Sequence, residues 1–122
     1  MPFVPTNTLI NSTLNSIKTD TPYLALFTSS PSASGGGTEV SGGSYSRQAI
    51  TYGTISSGSM SNTAAITFSG LPNATITHYA VINAATGGTM KGYGTLSSTA
   101  AVVSGDQVQF PIGAHTISVS GS

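Results

Sequence analysis

Tyr23-Leu24-Ala25-Leu26-Phe27 is an uninterrupted apolar run, and it decides the fold class. A run of this length with no polar face predicts a buried β-strand. From Pro22 onward, apolar residues recur with a period of two, which is the spacing of strands that bury one face. The alternation predicts further strands at 45–54, 62–69, 74–84, 88–97, 107–111 and 113–120.

Two turn signals separate these segments. Ala85-Thr86-Gly87-Gly88 supplies glycines where a tight hairpin needs positive φ, and Ser104-Gly105-Asp106 is a second turn. Short antiparallel strands joined by such turns are typical of sandwiches. The sequence therefore predicts an all-β fold, an antiparallel β-sandwich of jelly-roll-like type, with one short N-terminal helix.

The helix is predicted at 8–18, where Ile10, Leu14 and Ile17 recur at helical spacing and Leu9 widens the apolar stripe. Thr6, Asn7 or Thr8 would cap it. Residues 1–7 are expected to form an extended arm, because the prolines in it lack amide donors. Residues 8–122 are expected to form a single sandwich domain. Its 30–44 stretch, rich in glycine and serine, is expected to be a long loop, mobile or ordered by a partner.

Charged side chains make up only 5% of the 122 residues, whereas serine, threonine and glycine supply 53 of them. A surface with so little charge lacks a usual barrier to association, so a subunit of an assembly is favoured over a soluble monomer. The net charge of zero argues against nucleic-acid binding, which depends on neutralising phosphates. No apolar run approaches the length of a membrane span, so no membrane contact is expected.

The residue types needed for catalysis do not form a recognisable motif. His78 and His115 are the only histidines, and the acids Asp20, Glu39 and Asp106 are far apart in the sequence. No nucleophile elbow, histidine metal motif, cysteine pair or calcium loop occurs. We therefore expect a protein that is not an enzyme, with no catalytic, metal or cofactor site, and two histidines that are hydrogen-bonded or exposed.

The five tyrosines allow two interpretations. They could form a stripe that binds carbohydrate or peptide, but with no tryptophan in the chain we favour core or sheet-face positions. The tyrosines are Tyr23, Tyr45, Tyr52, Tyr79 and Tyr93.

Arg47, the only arginine, also has two interpretations. It either ties a loop carbonyl or pairs with Glu39 across the glycine-rich loop, or it is an exposed strand residue. The sequence favours neither.

Several segments resemble a family of small bacteriophage virion proteins. They are the run 23–31, the stretch 38–52 that contains Arg47, the stretch 77–88, the Tyr93-Gly94 pair and the segment 100–110 with Gly105-Asp106. The resemblance covers residues 8–120. Members are labelled tail-fibre-like, and similar small sandwiches serve as head cement or decoration proteins. Tyr79 and Asn83 depart from the tryptophan and aspartate common in the family, and both suit a strand and a turn.

The resemblance implies a structural virion protein with no catalytic residue. A capsid cement or decoration protein on the head exterior is favoured, because the chain has no shaft repeat, no heptads and no second module. The expected partners are the major capsid protein and copies of the chain itself in a homotrimer. The alternative is a tail-tip or tail-fibre component that binds a host-surface receptor. Either way the protein is expected in the virion, after assembly in the host bacterial cytoplasm. The expected assembly contacts are Phe3, Val4, Leu9, Ile10, Leu14, Ile17 and Arg47.

Overall fold

The computed structural model describes residues 6–118 except residues 33 and 57, together with all their side chains but that of residue 97. Its one helix, α1, spans Asn7–Lys18. The strands are β1 (Tyr23–Ser29), β2 (Thr38–Glu39), β3 (Gln48–Ala49), β4 (Ser59–Ser61), β5 (Ile66–Leu71), β6 (Ala74–Ile82), β7 (Met90–Val102), β8 (Asp106–Phe110) and β9 (Thr116–Ser118). The arm residues Phe3 and Val4 lie outside the described part of the chain.

The main sheet is antiparallel and is built around the apolar strand β1. On one side β1 pairs with β6, and β6 pairs with β7, so that β7 is an edge strand. On the other side, two short strands share the remaining edge of β1: β3 pairs with its beginning and β2 with its end. The predicted buried strand is therefore confirmed as the centre of the sheet, hydrogen-bonded along both edges.

The second layer of the sandwich consists of two separate ladders, β4–β9 and β5–β8. Leu24 and Leu26 of β1 face this layer and pack in one cluster with Met60 and Phe68 from the ladders and Leu14 of α1. All five side chains are buried. Removing this apolar surface from water is the main stabilising contribution to the fold. The predicted all-β sandwich with one short helix is confirmed.

The segment predicted as one strand, 45–54, is divided between the two layers. Gln48-Ala49 pairs with β1, whereas Tyr52 forms a bridge to Asn62 beyond β4. Between them Ile50 donates its amide to the carbonyl of Pro22, so the backbone stays bonded while it changes sheets. The prediction of a continuous strand was wrong. Burial alternates along the segment, but its first part pairs with β1 and its second part with the other layer.

Strand β7 is longer than predicted and contains a bulge. Ile76 pairs with Ala100 and His78 with Thr95, so residues 96–99 of β7 lie opposite Thr77 alone. Three of these four residues are serine or threonine, so the segment lacks the alternation of apolar and polar residues that predicts a strand. This is why the strand was predicted to end at residue 97 and instead continues to Val102.

The 30–44 stretch contains regular structure, and the part just before β2 lies on the outer face of the main sheet. Thr38-Glu39 forms β2, and the segment before it lies over Phe27: a Cβ atom at Gly37 would come 3.1 Å from the phenyl Cδ2. Phe27 belongs to a second apolar cluster on this face, together with Ala25, Ala80 and Ile82. The loop is therefore held against the sheet by contacts within the chain.

Gly94 in β7 makes room for the ring of Tyr79, its partner on β6. A Cβ atom at Gly94 would lie 2.6 Å from Tyr79 Cζ, whereas a Cβ atom at Gly92 would meet nothing within 4 Å. We expect Gly94→Ala to lower the free energy of unfolding by about 2 kcal/mol, as overpacking does. Gly92→Ala is the matched control and is expected to stay within about 0.5 kcal/mol of the parent. Urea unfolding at pH 7 measures both, and equal effects would contradict the packing described.

Candidate functional site

A cluster of three polar side chains joins the loop segments on one side of the main sheet. Arg47 forms a two-pronged ion pair with Glu39, with Nε donating to Oε2 and Nη2 to Oε1, both at 2.9 Å. Tyr45 donates its hydroxyl to the same Oε2 at 2.6 Å and accepts the amide of Leu26. We call Glu39, Tyr45 and Arg47 the Arg47 cluster. It fastens β2 and the 45–47 segment to the central strand.

The cluster also holds the turn between β6 and β7. Arg47 Nη1 donates to the carbonyl oxygens of Ala84 at 3.0 Å and Gly87 at 2.8 Å. Gly87 and Gly88 have φ values of 63° and 77°, the left-handed region that glycine adopts without strain. Asn83 closes the turn by accepting the amide of Thr89. The predicted glycine turn is confirmed, and so is the interpretation of Arg47 as a residue that ties loop carbonyls and pairs with Glu39.

A groove of about 590 Å³ lies beside the Arg47 cluster. Its floor is apolar and comes from β1, β6 and β7. One wall is the 34–37 segment, and the other is the 87–89 turn. Glu39 and Arg47 form the polar end. The lining residues are Phe27, Ser34, Gly35, Gly36, Gly37, Glu39, Arg47, Ile82, Gly87, Gly88, Thr89 and Met90.

The ionisation of the cluster follows from its contacts. Partial burial raises the pKa of Glu39, but the hydrogen bonds from Arg47 and Tyr45 outweigh it and hold that pKa below its usual 4.5. Burial, and then the hydrogen bond to Glu39, raise the pKa of the Tyr45 hydroxyl. At neutral pH the groove therefore has a fixed carboxylate beside a fixed guanidinium, with a neutral phenol behind them.

His115 belongs to a second polar cluster, which lies inside the sandwich. Its Nε2 is 2.7 Å from the hydroxyl of Tyr52, and its ring packs edge-on against Tyr79. Asn62 accepts the His115 amide and donates to the carbonyls of Ala64 and Pro111. Burial alone lowers the pKa of His115 to about 4, so the ring is neutral at pH 7. This cluster ties the last turn and β9 to β4.

The predicted assembly contacts fall into four groups. Ile10 and Leu14 are buried in the chain's own core, and Ile17 packs against it. Leu9 is 45% exposed, unlike the other predicted helix contacts, and is open to a neighbour. Arg47 makes its contacts within the chain, in the cluster described above. Phe3 and Val4 lie outside the described residues.

The tyrosines do not form one stripe. Tyr52 is buried, Tyr45 stacks on Phe68 and Tyr79 packs against His115, so these three have core positions. Tyr23 is half-buried at the start of β1, and Tyr93 on β7 is 45% exposed. The preferred sequence interpretation holds for the first three. The hydrogen-bonding roles of Tyr45 and Asn62 were not predicted from the sequence, because nothing local distinguishes a residue whose partners lie on other segments.

The remaining titratable side chains do not converge. His78 bonds to its neighbour Thr77, and Asp20 contacts Asn83 and Lys91. Within residues 6–118, apart from 33 and 57, no group of three histidine or acidic residues could hold a metal ion. Over the same residues, no helix is long and apolar enough to cross a membrane.

Comparison with known proteins assigns the family. A family model described as Podophage GP4 fiber I protein gp80 matches residues 4–118, which include every strand and both polar clusters. A search of curated proteins finds no match. The family is one of phage virion fibre proteins, which confirms the resemblance to small phage virion proteins and points to a structural role. The chain therefore belongs to the podophage GP4 fiber I protein gp80 family and is a structural protein of a bacteriophage particle.

Proposed function

We propose that this chain is a fibre component of the virion that contacts the host surface. The observation that carries the proposal is the family match, which spans residues 4–118 and so covers the whole described sandwich. Because the family is described as a fibre protein, it favours the tail-fibre alternative over the head cement protein that the length of the chain favoured. The groove beside the Arg47 cluster is the surface we assign to host contact.

A head cement or decoration protein is the second candidate. It is favoured by one observation: the described residues form one sandwich whose only helix has 12 residues, with no shaft or repeat. The major capsid protein would be the partner in that case.

In either position we propose that copies of the chain associate, as a homotrimer. The near absence of charge supports this, because repulsion between copies is weak. Exposed apolar side chains supply candidate contacts: Leu9 on α1, Val103 after β7 and Ile112 before β9. The arm residues Phe3 and Val4 remain proposed contacts with a neighbouring subunit.

Immunogold labelling of intact virions tests the position. An antibody raised against the recombinant chain is expected to place gold at the fibres and to leave the head surface unlabelled. The control is the same antibody after absorption with the recombinant chain, which should abolish labelling. Gold spread over the head exterior would overturn the fibre proposal and support the cement candidate.

A further inference from the structure

We propose that the groove beside the Arg47 cluster binds a saccharide by a pair of vicinal hydroxyl groups, one accepting from Arg47 and one donating to Glu39. The inference rests on the proposed fibre function and names the ligand of that same surface. It comes from the hydrogen-bonding capacity left over in the cluster, from the apolar floor and from the neutrality of the ion pair.

The Arg47 cluster has one donor and one acceptor to spare, side by side. A guanidinium has five N–H groups. Arg47 uses one on Nε, one on Nη2 and two on Nη1, so the second N–H of Nη2 has no acceptor among the described residues. From the described residues, Glu39 Oε2 accepts two hydrogen bonds and Oε1 accepts one. Nη2 and Oε1 are 2.9 Å apart, and both residues line the polar end of the groove.

Vicinal hydroxyls suit this pair because each hydroxyl both donates and accepts. One hydroxyl oxygen can accept from Nη2 while its neighbour donates to Oε1. Both hydrogen bonds would have an ionised partner, which makes them stronger than bonds between neutral groups. Since Arg47 and Glu39 are already fixed by Tyr45 and by two loop carbonyls, little ordering is needed on binding.

The rest of the groove suits a neutral ring with one apolar face. Phe27, Ile82 and Met90 supply an apolar floor. Gly35 and Gly87 line the two walls of the groove. A Cβ atom built on either glycine would meet nothing within 4 Å, so a ligand can approach the backbone there. The volume lies within the roughly 300–1,000 Å³ of small-ligand sites. Because Glu39 neutralises Arg47, the groove offers no net charge to an anion, which favours an uncharged polyol over a phosphate.

The test uses the full recombinant chain and polysaccharides from a bacterial strain that the phage infects. Lipopolysaccharide and capsular polysaccharide are immobilised, each intact and after periodate oxidation, which cleaves the carbon–carbon bond of vicinal diols. Binding is measured by biolayer interferometry. Thr89→Trp narrows the groove from an exposed wall position, and Thr99→Trp places the same bulk at an exposed site of β7 outside it. Glu39→Gln removes the carboxylate.

We expect the parent and Thr99→Trp to bind one intact polysaccharide and not its oxidised form. Glu39→Gln is expected to bind about tenfold or more weakly, as loss of a charge-assisted bond predicts, and Thr89→Trp is expected not to bind. Thr89→Trp keeps the test valid if Glu39→Gln fails to fold. No binding by the folded parent, binding that survives oxidation, or binding by Thr89→Trp equal to that of Thr99→Trp would overturn the inference. If one of these three binding results is found but immunogold labels the fibres, the saccharide inference is wrong and the fibre proposal stands. If immunogold labels the head, the fibre proposal is wrong.

Discussion

Arg47→Ala is expected to lower the free energy of unfolding by about 3 kcal/mol, because it leaves a half-buried carboxylate without its ion partner. The side chains of Arg47 and Glu39 are only 12% and 25% exposed, so water replaces the lost contacts poorly. The carbonyls of Ala84 and Gly87 lose their donor at the same time. Arg47→Lys is expected to recover less than half of the loss, since an ammonium cannot reproduce the fork that spans both Glu39 oxygens.

The matched control is Lys91→Met, which removes a second, more exposed ion pair. Lys91 and Asp20 are 3.4 Å apart with side chains 35% and 47% exposed. Such exposed pairs contribute about 0–1 kcal/mol. Urea unfolding at pH 7 compares the three variants with the parent. An Arg47→Ala effect no larger than that of Lys91→Met would contradict the role given to the Arg47 cluster.

Acid is expected to destabilise the protein by about 3 kcal/mol between pH 6.5 and pH 4 through His115 alone. The pKa of His115 is lowered by burial to about 4 in the folded chain, whereas the unfolded chain titrates near 6.5. In this window the unfolded state binds more protons, so stability falls as pH falls and levels off below pH 4 for this group. Protonation puts a proton on both ring nitrogens, next to Tyr52 and Tyr79 and with no carboxylate in contact among the described residues.

His115→Gln is expected to flatten this part of the pH profile, because it removes the buried ring whose pKa is lowered. Glu39 gives a separate loss at lower pH, because its lowered pKa makes it protonate only below the usual 4.5. Urea unfolding at half-unit intervals from pH 7 to pH 4 measures the slopes. A slope for His115→Gln equal to that of the parent would contradict the burial of a neutral ring.

Local patterns predicted the elements whose burial has a simple period. The helix was predicted at 8–18 and is found at Asn7–Lys18, with Thr6 accepting the amide of Leu9 as its cap. Strand β1 was predicted from its apolar run. Local patterns could not predict which strands pair, because pairing depends on which backbone groups meet across the fold. This is why the change of sheet after Ala49 and the bulge at 96–99 were not predicted.

The candidate site was predicted in part. Pairing of Arg47 with Glu39 was one of two interpretations, and nothing in the sequence decides between them, because both residues lie in polar segments of similar composition. The carbonyl partners of Arg47 belong to a turn 37 and 40 residues away. Tyr45 looked like any strand tyrosine, and its role depends on the close approach of Glu39 and Leu26.

The most direct test of the proposed function is a cryo-electron microscopy map of the whole particle at a resolution that traces the chain. A fibre component is predicted to place the sandwich of β1–β9 within the fibre density, with the groove between the 34–37 segment and the 87–89 turn open to solvent. Density for the same sandwich on the exterior of the head shell, and none in the fibres, would contradict the proposal.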